Sequence, residues 1–167
     1  AVNEGDICVF CHIPHNFSPM QSSWNRETTG TYYTPYSSST VASSPGQPNG
    51  TSLLCLSCHD GTIALGNVKS EPFPIPMRGG ILTIPSGPAD LGTDLSDDHP
   101  ISFTYGSGLT ARRNELVHPS TLTNKVKLDN MGRMQCTSCH DPHNDKNGKF
   151  LTMQNRGGAL CTTCHAY

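Results

Sequence analysis

Apolar positions along this chain come in short clusters that no long element connects. Ile7, Val9 and Phe10 form one, Leu53, Leu54 and Leu56 a second, and Ile63, Ala64 and Leu65 a third. Ser, Thr, Pro and Gly fill the stretches between them. No apolar run approaches the roughly 18 residues of a membrane-spanning helix. The pattern from Ser52 to Leu65 predicts a short helix that stops near Gly61 or Gly66. The run Gly79-Gly80-Ile81-Leu82-Thr83-Ile84-Pro85 predicts a short strand, in a hairpin if it finds a partner. Asn114 to Val117 predicts one turn of helix. Residues 17–52, with Ser37-Ser38-Ser39-Thr40 and Ser43-Ser44-Pro45-Gly46, read as an irregular surface loop. The expected fold is mostly irregular coil with a few short helices and at most a small β-hairpin, in a single domain over residues 1–167.

Composition sharpens the difficulty of that fold. Only 34% of residues are hydrophobic, and Gly and Pro together number 29 of 167, beside 17 Ser and 17 Thr. Such a chain buries little core by itself and needs disulfides, metals or a partner to hold it. The formal net charge of −2 gives no basic patch for nucleic acid or an anionic membrane. Ala1, small and followed by polar sequence, fits an N-terminus left by signal cleavage, which would place the protein outside the cytoplasm.

Eight cysteines could make four disulfides, with 105 connectivities. Their spacing points elsewhere. Cys-x-x-Cys-His occurs four times, at Cys8/Cys11/His12, Cys55/Cys58/His59, Cys136/Cys139/His140 and Cys161/Cys164/His165. Zinc would accept the cysteine pairs, but it gives no reason for a histidine after every second cysteine. In c-type haem attachment the two cysteines become thioethers on the haem vinyl groups and the histidine takes the iron. All eight cysteines are then used, and the expected cofactor is four haem c. One haem per about 42 residues would supply the missing apolar core, and the chain without haem is expected to be largely unfolded.

The histidine count decides the chemistry of the irons. His12, His59, His140 and His165 are proximal. His15, His99, His118 and His143 remain, so four haems with two imidazoles each use all eight histidines. Met20, Met77, Met131, Met134 and Met153 are alternative sixth ligands, though methionine more often fills apolar gaps. An iron with two strong protein ligands has no open position for a substrate, which leaves electron transfer and excludes catalysis at iron. The motif Cys-x-x-Cys-His-x-Pro-His-Asn appears twice, at Cys8–Asn16 and Cys136–Asn144. Proline ends any helix there and projects His15 or His143 toward a haem other than its own. His143 lies where it can bridge haems within the chain. His15, near the N-terminus, can reach a neighbouring haem in the same chain or a haem of another subunit. A head-to-tail contact that does not close builds an open filament.

Other residues carry weaker signals. Trp24 is expected against a haem edge or at an interface, Arg26 in solvent or paired with a propionate. Asp60 and Asp141 follow proximal histidines and are expected as turn formers or as acceptors for a ligand Nδ1–H. Asn16-Phe17-Ser18 and Asn49-Gly50-Thr51 are glycosylation sequons.

Trp24-Asn25-Arg26, Tyr33-Thr34-Pro35-Tyr36-Ser37-Ser38 and Leu54-Cys55-Leu56-Ser57-Cys58-His59-Asp60-Gly61-Thr62, with Cys-x-x-Cys-His-x-Pro-His near the start, resemble the extracellular tetrahaem c-type cytochrome nanowires, an OmcE-like family of filament-forming multihaem cytochromes. The resemblance covers the order of all four sites and several linkers. It implies bis-histidine haems stacked in a continuous chain, little regular secondary structure, and an axial histidine donated by a neighbouring subunit, a role that falls by position on His15. The expected partners are identical subunits in a helical filament and external electron acceptors, with no nucleic acid and no transmembrane span. The rival expectations are a soluble periplasmic tetrahaem shuttle or reductase electron donor, and a multihaem reductase with an open haem site.

Overall fold

The computed structural model describes Gly5 and residues 7–13, 23–28 and 30–166. Most of them are coil. The regular elements are α1 (Gly50–His59), α2 (Ser107–Thr110), α3 (Cys136–Cys139) and a two-strand antiparallel ladder of β1 (Phe103–Thr104) and β2 (Arg133–Met134), with short 3-10 turns between them. This is the architecture expected from the sequence, with two local differences. The run at Gly79 makes no strand: Arg78–Gly80 is a 3-10 turn whose two glycines sit at φ 72° and 71°. Two successive left-handed residues turn the chain out of the extended region. Asn114 to Val117 is a turn closed by a bridge from Leu116 to His165, and the helical turn starts later, at Pro119.

The contacts divide the chain into two compact units, residues 1–34 with 53–95, and residues 35–52 with 96–167. Each holds two Cys-x-x-Cys-His motifs. In the first, Val9, Tyr33, Leu56, Val68 and Leu95 are buried. Buried polar side chains do much of the tying. Asn25, fully buried, donates through Nδ2 to Val9 O and Ser70 Oγ, accepts from Ser70 N, and bonds Cys11 O through its backbone. The helix α1 ends where Gly61 takes a left-handed φ of 70°, the usual way to stop a helix without a Cβ penalty. Further on, Gly66 O accepts from Ile75 N, and a Cβ on Gly66 would overlap the Ile75 carbonyl. A Gly66→Ala variant is therefore expected to lose about 1–3 kcal/mol in denaturant unfolding. An unchanged midpoint would show that this contact relaxes freely.

In the second unit the core is Phe103, Tyr105, Leu109 and Met134, with Leu116, Leu122, Leu128 and Cys164 packed against it. A polar hub lies at Gln135, which is 2% exposed. Its Oε1 accepts from Ser52 N, Ser52 Oγ and Ser102 Oγ, and its Nε2 donates to Asn49 and Asp129. Ser52 Oγ also accepts from Cys136 N, and Gln135 forms a capping box with Ser138. Asn49, of the second sequon, is half-buried and bonded to this hub; Asn16 lies outside the described residues.

Asp129 belongs to the same hub. Desolvation works to raise its pKa, but hydrogen bonds from Arg133, Gln135 and Met131 prevail and hold the carboxyl well below the usual range. A depressed folded pKa gives stability that is present above the unfolded value of about 4 and is lost as pH falls toward the folded one. Asp129→Asn should destabilise the protein at neutral pH and shrink its loss of stability on acidification below about pH 4. Parallel acid slopes for the variant and the wild type would refute this.

Candidate haem sites

At three of the sites a single helical turn carries both cysteines and presents the histidine after it. His12, His140 and His165 each donate their backbone N–H to the carbonyl of the first cysteine, at 2.8, 3.0 and 2.9 Å. The fourth, Cys55 to His59, is the last turn of α1. Cysteines three apart on a helical turn share a face. None of the eight is in a disulfide. Burial raises Cys11 and Cys58, with Arg26 opposing it. Burial together with Cys164, Cys136 and Cys161 pushes Cys139 up to about 11. These are neutral thiols, not the exposed thiolates of reactive or metal-binding cysteines. Cys11 acts on Cys58, and Cys164 on Cys139, so the two motifs of each unit lie within electrostatic reach of one another.

Two of the four motif imidazoles are oriented by backbone carbonyls. Nδ1 of His59 lies 2.7 Å from Ala89 O, and Nδ1 of His140 lies 2.9 Å from Lys149 O. Donation from Nδ1 leaves the Nε2 lone pair for iron. The Lys149 carbonyl is aimed by a strained backbone. Lys149 and Phe150 sit at φ 53° and 55°, and Phe150 N donates to Asp145 Oδ1 at 2.7 Å. Left-handed non-glycine residues persist where surrounding bonds over-determine them. Asp60 and Asp141 do not fill the acceptor role considered for them. Asp60 is buried and accepts from Tyr33 Oη at 2.6 Å and from Thr62; Asp141 starts a turn by accepting from His143 N. The exposed carbonyls of Ala89 and Lys149 carry no sequence signature, although Asn147-Gly148 marks a turn next to Lys149.

Around His140 the donor set suits a porphyrin with two carboxylates. A cavity of about 450 Å³ is lined by Thr137, His140 and His143, with Lys125, Lys127 and Lys146 at its border. Thr152 also lines it. Its Oγ1 is buried and, among the described residues, has no hydrogen-bond partner. A volume of this size is ample for a cofactor. The lysines and the Thr152 hydroxyl are the groups that haem propionates require, so these residues would hold the haem anchored at Cys136 and Cys139.

The remaining site residues fall as follows. His12 meets Trp24 edge-on, with centroids 6.3 Å apart, and Trp24 Nε1 donates to Ser57 Oγ. Trp24 thus packs on the His12 ring. Arg26 is neither solvated nor a propionate partner: it is fully buried and bonded to protein carbonyls. His99 faces His165 with ring centroids 6.4 Å apart and planes at 85°, and its Nδ1 lies 2.9 Å from Pro100 O. Desolvation lowers the His99 pKa and His165 adds to this, against the Pro100 carbonyl, which raises it. Exposed His118 sets Nδ1 2.7 Å from Ser120 Oγ. His143 is exposed, with Nδ1 3.7 Å from Asp141 Oδ1. His15 and Met20 lie outside the described residues. Met134 is core, and Met153 Sδ accepts from Thr163 Oγ1.

Residues 130–167, which hold the third and fourth sites, match the family model described as the doubled CXXCH motif. Motif and geometry together define a multihaem c-type cytochrome that binds haem covalently and transfers electrons. No curated protein matches the chain.

Proposed function

We propose that this chain is a tetrahaem cytochrome whose irons each carry two histidines, and that it polymerises head to tail into an extracellular filament that conducts electrons to external acceptors. Haem, when bound, supplies a one-electron ferric/ferrous couple. The chain's own residues anchor it, orient the imidazoles through Nδ1, close the axial positions and keep the rings near one another. No bond chemistry on a substrate is assigned to it.

The observation that carries the ligation is the pair His99 and His165. Their ring centres lie 6.4 Å apart, beside Cys161 and Cys164, so His165 and His99 would hold between them the haem anchored at those cysteines. In a His99→Ala variant one haem in four should become high-spin and, once reduced, bind carbon monoxide. A spectrum that stays fully low-spin would overturn the pairing. The filament rests on the resemblance and on the N-terminal copy of the Cys-x-x-Cys-His-x-Pro-His motif. Electron microscopy of purified wild-type protein should show filaments, and His15→Ala should give discrete particles with one five-coordinate haem. Discrete wild-type particles at high concentration would indicate a soluble shuttle instead.

A further inference from the structure

Arg26 is the buried side chain that haem attachment by itself does not explain. It is fully buried, and each of its five N–H groups ends on a main-chain carbonyl. Nε and Nη2 bond Ser57 O at 3.3 and 3.0 Å, Nη2 also Ala64 O at 3.0 Å, and Nη1 bonds Leu65 O at 2.7 Å and Asn67 O at 3.2 Å. No carboxylate is among these partners. Carbonyl dipoles solvate the cation but leave its unit charge uncancelled, and guanidinium does not escape burial by deprotonating.

The location gives that charge a target. Ser57 lies between Cys55 and Cys58. The preceding residue, Asn25, bonds Cys11 O, and Trp24 before it meets the His12 ring. The guanidinium is thus bonded inside the Cys55–Cys58 turn, while the residue before it holds the main chain of Cys11. In the second unit no basic side chain is buried among the described residues. The lysines near His140 are exposed, where water and salt screen them.

We propose that Arg26 is an electrostatic tuning residue that raises the reduction potential of the two haems anchored at Cys8/Cys11 and Cys55/Cys58 above that of the other two. Reduction adds one electron to each haem as iron goes from ferric to ferrous, so the site becomes more negative by one charge, and a buried cation favours that state. No proton moves. The inference rests on the tetrahaem reading above.

The test is a redox titration of the holoprotein with dithionite as reductant, the haems resolved by NMR, on wild type, Arg26→Gln and Arg26→Lys. In the wild type the haems of the first two motifs should be reduced before the other two. In Arg26→Gln the ferrous-to-ferric ratio of those two, at a fixed solution potential, should fall about tenfold, or roughly 59 mV for one electron. The other two should hold, and Arg26→Lys should stay near wild type. If Arg26→Gln lowers unfolding stability without moving potentials, or moves all four alike, Arg26 is only a structural strut. Where the Gln variant does not accumulate, the wild-type order decides, and first-unit haems reduced last overturn the proposal. A haem count below four per wild-type chain would instead overturn the reading beneath it.

Discussion

With Cys136 and Cys139 both replaced by Ala, the purified protein is expected to carry three covalent haems instead of four and to lose the cooperative unfolding of its second unit. The helix α3 is only four residues long. A helix that short has no stability apart from what it packs on. The apolar core it serves has four buried residues, Phe103, Tyr105, Leu109 and Met134. The space beside His140 measures about 450 Å³. Without haem that open space fills with water and its apolar lining loses a partner, which matters where whole domains are stable by only about 5–15 kcal/mol. Pyridine haemochrome absorbance and intact mass give the haem count, and thermal unfolding followed by circular dichroism gives the loss of structure. Four haems in the variant, or an unshifted transition, would contradict the assignment of this motif.

Replacing Gln135 by Leu should cost roughly 3–5 kcal/mol in denaturant unfolding with all haems present. The substitution strands Ser52 N and Ser52 Oγ, which end on Gln135 Oε1, and leaves Ser102 Oγ only its 3.5 Å bond to Asn49 O. It also removes one of the donors that hold Asp129 ionised. A buried donor left unmade costs about 1–3 kcal/mol, and groups in one network do not add simply. Gln135→Glu keeps the acceptor but loses the Nε2 donor and sets a second carboxylate against Asp129, so it should fall between. A loss below about 1 kcal/mol for the leucine variant would show that water takes over the hub.

Much of this was legible in the order of residues. The four attachment motifs are local, and a helical turn places the cysteines and the histidine with no help from the rest of the chain. Gly61 announced the end of α1. The coil-dominated fold followed from too few apolar residues in too many short clusters. What stayed hidden is long-range or belongs to the backbone. The carbonyls that orient His59 and His140 come from Ala89 and Lys149, and any residue carries a carbonyl. Arg26 read as a surface charge, because arginine is rarely buried. Only the convergence of the carbonyls of Ser57, Ala64, Leu65 and Asn67 makes its burial affordable, and nothing local encodes it. The strands β1 and β2 are two residues each, too short for alternation to register. At Gly79 two signals compete, glycines that favour a turn and apolar residues after them that favour a strand, and the left-handed glycines win.

The pairing of His99 with His165 has a consequence for the unfolded chain. Under the proposed ligation these residues would close a loop over the 66 positions that separate them. Such a closure would act as a cross-link in the denatured ensemble, removing about 4 kcal/mol of chain freedom on the entropy scale used for disulfides. Unlike a disulfide, it would open when an imidazole takes up a proton. The proposed electron carrier would then also be a reversible, acid-labile staple on a chain too poor in apolar residues to fasten itself.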